Sequence, residues 1–228
     1  MPAEETSRTP DPALAKRRPL FVRSAGWANA VSRALARAGV TANQVSIASV
    51  VGAAVSAACI LATRETSGAA DAGLLLVAAG GIAFRLTCNM LDGMIAVEYG
   101  GITKSGVVFN EVPDRLADIL SLAASGYAVT DWDWAVEVGW LAAALAVMSA
   151  YIRALGGMQT GLEDFSGPFA KPQRGWLLVS ALVASAVEVA IHDKTYVLGV
   201  ALAVICLGTA VTIGRRTLRL VQRLEAQE

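Results

Sequence analysis

The chain has 228 residues, 55% of them hydrophobic and 17% charged, with a formal net charge of zero and a mean hydropathy of +0.52. The charged share is well below the roughly 25% of a soluble globular domain. Neutrality and a pI near 6.6 exclude a bulk electrostatic attraction to nucleic acid. Residues 1–19 are Pro-rich, charged and poor in bulky apolar side chains, which predicts a disordered tail. They contain no apolar run of the kind a cleaved secretory signal requires. Residues 20–228 then form one membrane domain. Within it, residues 20–38 place Leu20, Phe21, Trp27, Val31 and Leu35 roughly on one face, with Arg23, Arg33 and Arg37 elsewhere. That pattern predicts an amphipathic helix lying in the inner membrane interface. The competing reading is an ordinary helix packed on the bundle.

Six apolar runs follow: Gln44–Thr63, Ala70–Ala96, Val107–Val129, Ala135–Ile152, Gly175–Ile191 and Tyr196–Ile213. A helix needs roughly 20 residues to cross the hydrocarbon core and satisfies its own backbone there. The fold expected is an all-α integral membrane protein with six transmembrane helices and the N-terminal interfacial helix. Lys and Arg set the orientation. They crowd the N-terminal segment, the connections holding Lys104 and Arg153, Lys171 and Arg174, and the C-terminal tail with Arg215, Arg216, Arg219 and Arg223. The opposite connections hold only Arg64 and Lys194. This asymmetry predicts a multi-pass protein of the inner (cytoplasmic) membrane with both termini cytoplasmic. Trp132 and Trp134 would then lie at the outer interface and Trp176 at the inner one. Cys59, Cys88 and Cys206 are isolated and read as small buried hydrophobes. His192 reads as a solvated loop residue. Small residues at close spacing (Gly52, Ala53, Ser56, Ala57; Gly80, Gly81) suit close helix contact in lipid.

The second and third runs are interrupted by polar residues, and ionisable groups at membrane depth call for a function. Asn89 and Asp92 share a helix face, with Gly93 following and Ala96 continuing the stripe. After a short polar turn, Gly106, Asn110, Asp114 and Asp118 recur at steps of four, with Glu111 three residues before Asp114. Two helices joined by so short a turn are expected to run side by side, polar stripe against polar stripe. Carboxylates that close need compensation, and a hard divalent cation with oxygen ligands, Mg²⁺ or Mn²⁺, supplies it. Structural ion pairs with Arg85, Arg115 or Lys104, a proton-coupled transport pathway, and plain solvation above the membrane are the competing readings. Pro113 removes a backbone donor and loosens the helix there.

These residues resemble the signature of the CDP-alcohol phosphatidyltransferase family, D-x2-D-G-x2-A-R-x8-G-x3-D-x3-D. The matching positions are Asn89, Asp92, Gly93, Ala96, Val97, Gly106, Asn110 and Asp114, with no gap in the spacing. Upstream, Thr41–Ser46 (TANQVS) looks like the start of that family's first membrane helix, with Ala42 in place of a proline. The first and third family aspartates are Asn89 and Asn110 here, and the family arginine is Val97. Those departures imply a rearranged metal set, a weakened one, or lost activity, in that order, with Asp118 and Glu111 restoring carboxylates in shifted positions.

The resemblance implies an enzyme of phospholipid synthesis. It would transfer a phosphatidyl group from a CDP-linked lipid, expected to be CDP-diacylglycerol, to a small alcohol with release of CMP. Implied metal ligands are Asn89, Asp92, Asn110, Asp114, Asp118 and Glu111, holding two Mg²⁺ or Mn²⁺ ions. Asp114 would be the catalytic base; Gly93, Ala96 and Gly106 would border the nucleotide. Arg153, Lys171 and Arg174 would bind an anionic acceptor, or equally lipid headgroups. The active site is expected on the cytoplasmic side, no nucleic acid partner is expected, and the family resemblance implies a homodimer. The alternatives are a catalytically impaired relative that binds lipid or a partner, and a small transporter using the buried acids.

Overall fold

The computed structural model describes residues 26–98 and 105–226, which are helices and their connections. The predicted tail, the first residues of the predicted interfacial helix, and the polar turn with Lys104 lie outside the described residues. The helices are α1 (Gly26–Arg37), α2 (Ala42–Ala62), α3 (Ala69–Glu98), α4 (Gly106–Ala128), α5 (Ala135–Thr160), α6 (Lys171–His192) and α7 (Tyr196–Glu225). Helices α2 to α7 coincide with the six apolar runs. Five of them (α2, α3, α5, α6 and α7) are long and apolar enough to cross a membrane. The 23 residues of α4 would reach about 35 Å, but its first half carries the charges noted above.

Local signals explain the ends. Thr41 caps α2: the Gln44 amide donates to its hydroxyl at 3.3 Å, and its own N–H donates to Gln44 Oε1 at 2.9 Å. This is a reciprocal capping box. Helix α5 stops at Gly161, whose left-handed φ of 71° suits a residue without Cβ. Pro172 sits in the first turn of α6, where its missing N–H has no helical partner to lose.

The long helices form a closed ring: α2 packs on α3, α3 on α6, α6 on α7, α7 on α5, α5 on α4, and α4 back on α2. Helix α1 lies against α3. The order corrects one expectation. The motif helices α3 and α4 are not direct packing partners; α2 lies against both, and long side chains bridge the gap between them. A short turn limits the distance between helix ends without deciding which neighbour each helix packs on.

Small residues bring the helices close, and larger side chains such as Ile60, Ile82, Leu182 and Leu202 fill the space between them. Gly81 lies so close to α2 that a Cβ there would come within 2.7 Å of the Gly52 carbonyl oxygen. Gly126 and Gly139 bring α4 and α5 together in the same way. Other large apolar side chains face outward, among them Ile47, Val51, Phe84, Val204 and Val211. Small residues at the helix contacts and large apolar ones on the outer face suit a bundle surrounded by lipid. Helix α1 settles one face on the bundle through Ala28 and Ser32 while Trp27 and Val31 stay exposed.

Candidate functional site

The polar residues of five helices meet at one end of the ring: the start of α2, the end of α3, the start of α4, the end of α5 and the start of α6. Asp92, Asp114 and Asp118 are all buried there, 4%, 6% and 4% exposed. Each has a different partner. Asp92 accepts a hydrogen bond from the Ser46 hydroxyl at 2.7 Å, which ties α3 to the first turn of α2. Asp114 is ion-paired with Lys171 and, at 3.5 Å, with Arg115. Asp118 receives Arg85 at 2.5 Å on one carboxylate oxygen and Arg174 at 3.4 Å on the other. Glu111 is half-buried and pairs with Arg153 and Arg115.

The connection between α5 and α6 positions the basic side of the site. Arg216 of α7 donates to the Ser166 carbonyl at 2.9 Å and to the Ser149 carbonyl at 2.9 Å, fastening residues 161–170 to α5. The Phe169 amide donates to Thr212 at 3.0 Å. Arg174 in turn donates to the Phe169 carbonyl at 3.2 Å. The first turn of α6 is thereby fixed with Lys171 and Arg174 directed at the α4 acids. At the edge, Asp164 is held below the usual carboxylate range. Burial pushes its carboxyl up, but hydrogen bonds from Ser166 and Arg219 outweigh that.

Among the expected site residues, the structure brings Asp92, Asp114, Asp118, Lys171 and Arg174 together, with Glu111 and Arg153 at the margin. Asp92 and Asp114 lie close enough to act on each other electrostatically, and Lys171 acts on both. Asn89 is half-buried with its Nδ2 buried and unpartnered, whereas Asn110, in the first turn of α4, is exposed. Gly93, Ala96 and Gly106 are half-buried around the same end. Contributors not read as site residues from the sequence include Ser46, which anchors Asp92, Arg216, which anchors the connection, and Glu163, which pairs with Arg153. The only signal for Ser46 was its place at the end of TANQVS.

The donors do not fit the pair of divalent ions that the sequence resemblance implies. Mg²⁺ and Mn²⁺ favour anionic oxygen ligands. Two of the implied ligands are neutral amides, and Asp118 and Glu111 already face guanidinium groups. Among the described residues no three acidic, histidine or cysteine side chains gather into a metal-binding group. The bases of the site are paired with Asp114, Asp118 and Glu111, so an incoming anion would have to displace a carboxylate. Lys171, Arg174, Arg115 and Arg153 present N–H donors suited to phosphate oxygens.

No family model matches the chain, and no curated protein matches it. Solved structures do. The phosphatidylinositol phosphate synthase of Mycobacterium tuberculosis, crystallised in complex with manganese and citrate, is 23% identical. Its likeness covers 85% of this chain and 88% of that one, at a TM-score of 0.64. The same synthase with CDP-DAG bound covers 85% and 92% at 0.65, and its apo form 85% and 95% at 0.64, each again 23% identical. The helical ring thus shares the fold of that synthase.

Proposed function

We propose that the chain is a membrane phosphotransferase of phospholipid synthesis, a CDP-alcohol phosphatidyltransferase acting on a CDP-linked lipid. The observation that carries the reading is a coincidence of fold and motif. A fold like that of a synthase crystallised with CDP-DAG holds Asp92 and Asp114 buried at one end, with Lys171, Arg174 and Arg153 around them.

In the reaction the acceptor hydroxyl oxygen bonds to the phosphatidyl phosphorus as the bond to the CMP oxygen breaks. CMP leaves, and the hydroxyl proton passes to the Asp114 carboxylate. Lys171, Arg174 and Arg115 offset the charge on the phosphate oxygens. A carboxylate held by an ammonium is a weak base, so the substrate phosphate must draw Lys171 away from Asp114 before the proton moves. Gly93, Ala96 and Gly106 leave room beside the nucleotide. Arg153 and the α6 bases suit an anionic acceptor. The donor lipid is CDP-diacylglycerol in this reading. One neighbour was crystallised with manganese; in this chain Asp114, Asp118 and Glu111 face Lys171, Arg85 and Arg153.

The site faces the cytoplasm, with α4 as the sixth span and both termini inside, on the strength of the Lys and Arg distribution. The exposed Trp27 and Val31 of α1 rest at the inner interface. Homodimer formation follows from the family resemblance alone.

A second reading is favoured by one observation: the candidate base Asp114 is engaged by two cations. The chain would then bind a CDP-linked lipid without turning it over. A CMP-release assay on purified protein with CDP-diacylglycerol and a panel of alcohols separates the two. Release that needs an acceptor supports the transferase. Lipid binding with no CMP from any acceptor supports the second reading.

A further inference from the structure

We propose that the Lys171 ammonium is a tethered cation standing where a divalent ion would otherwise sit, so that this chain binds the diphosphate of a CDP-linked lipid without added metal. The inference rests on the CDP-lipid reading above and deepens it.

Charge balance is the first ground. Arg85, Arg115, Arg153, Lys171 and Arg174 are joined by ion pairs to Glu111, Asp114, Asp118 and Glu163. Asp92, hydrogen-bonded to Ser46, is the fifth acid against these five bases. This ion-paired group together with Asp92 is therefore neutral by itself. Aspartates at positions 89 and 110 would tip the same group to two net negative charges, the amount one divalent cation offsets. The two asparagines remove that demand.

Placement is the second ground. Lys171 contacts Asp114, and its charge also acts on Asp92 and Asp118. It reaches Asp114, and acts on Asp92 through its charge, from α6, a helix outside the motif. A divalent ion lodged between Asp92 and Asp114 would lie beside this ammonium and beside Arg115. Like charges at that range repel, and the neutral amides cannot offset the repulsion.

The third ground is the kind of polar atom left unpaired. Arg85 and Asn89 lie one turn apart on the α3 face that also carries Asp92. Arg85 Nε and Asn89 Nδ2 are buried there without partners. Both are N–H donors as placed, and a donor is satisfied by an anionic oxygen and not by a metal ion. Lysine suits the exchange, since its ammonium is a compact charge with three donors on a flexible stem that can swing from a carboxylate to a phosphate.

The test is thermal unfolding of purified full-length protein in detergent, titrated with CDP-diacylglycerol in excess EDTA and separately with Mn²⁺. Apparent affinities within about threefold of each other are expected for the wild type. Lys171→Gln should weaken binding in EDTA by about tenfold or more, with recovery in Mn²⁺, while Lys171→Arg keeps binding in EDTA. Should Lys171→Gln fail to fold, Mn²⁺ electron paramagnetic resonance on the Asn89→Asp/Asn110→Asp double variant gives an independent arm. That variant should bind Mn²⁺ at least about tenfold more tightly than wild type. Wild-type lipid binding that vanishes in EDTA and returns with Mn²⁺ overturns the tethered-cation inference and leaves the CDP-lipid reading intact. Equal Mn²⁺ affinity in wild type and double variant overturns the inference as well. Absence of any lipid-induced shift in both conditions overturns the CDP-lipid reading itself.

Discussion

Arg85 and Asp118 meet at 2.5 Å across the gap between α3 and α4, both nearly sealed from solvent at 3% and 4% exposure. The same guanidinium nitrogen donates to the Asp114 main-chain carbonyl at 3.3 Å. Because α3 and α4 do not pack directly on each other, this bridge, with Arg174 on the far carboxylate oxygen at 3.4 Å, sets the spacing of the two motif helices.

Removing one partner of such a pair strands a buried charge. Arg85→Met should destabilise the fold by about 3–5 kcal/mol, moderated because Arg174 and Arg115 still face Asp118. Arg85→Lys should recover only part of the loss, since an ammonium cannot reproduce the guanidinium fork. Thermal unfolding in detergent reads both. A midpoint unchanged in Arg85→Met would show that the bridge does not hold the helices.

Adjacent glycines on α3 should respond oppositely to a methyl group. At Gly81 a Cβ would press on the Gly52 carbonyl at 2.7 Å, and backbone cannot yield as a flexible side chain can. Gly81→Ala should cost about 1–3 kcal/mol. A Cβ at Gly80 meets nothing within 4 Å. Gly80→Ala should be neutral or stabilising by up to about 1 kcal/mol, through helix propensity. Unfolding midpoints of the two variants side by side make the comparison, and equal midpoints would contradict the close α2–α3 approach.

At the other end of the ring Asp131 joins two connections, accepting hydrogen bonds from Lys194 at 2.6 Å and from the Thr195 amide at 3.2 Å. Burial would push its carboxyl up, yet these donors and the Lys194 charge outweigh burial and hold it below the ordinary carboxylate range. A depressed folded-state value means the stabilisation is present above the unfolded value, about 3.9, and disappears as pH falls through the folded one. Asp131→Asn should therefore lower the unfolding midpoint at neutral pH, with the difference from wild type narrowing below about pH 4. A constant difference across that range would remove the ionic origin.

Turnover should separate the acids by role. Asp114→Asn should lower CMP release by about 10²–10⁴-fold by removing the base, with the folded protein retained. Asp118→Asn should act chiefly on stability, because its oxygens face Arg85 and Arg174 and not an open site. Measuring CMP release together with the unfolding midpoint distinguishes the two. Full turnover in Asp114→Asn would remove that residue from the mechanism.

The sequence by itself determined the helices and the stretch where buried polar side chains concentrate. Apolar runs of span length are a one-dimensional signal, and the i, i+4 spacing of Asn110, Asp114 and Asp118 places them on one helical stripe whatever the fold. Burial along that stripe was not legible, since Asn110 is exposed while Asp114 and Asp118 are buried. Only the tertiary structure decided that α2 lies between the motif helices, that Asp118 faces Arg85 and Arg174, and that Lys171 reaches Asp114. The physical reason is range. Stripe periodicity reports which side chains share a face of one helix, whereas these partners stand tens of residues apart and meet only through the order in which the helices close the ring. That order is set by small-residue contacts such as Gly52 with Gly81 and Gly126 with Gly139, whose pairing composition does not encode.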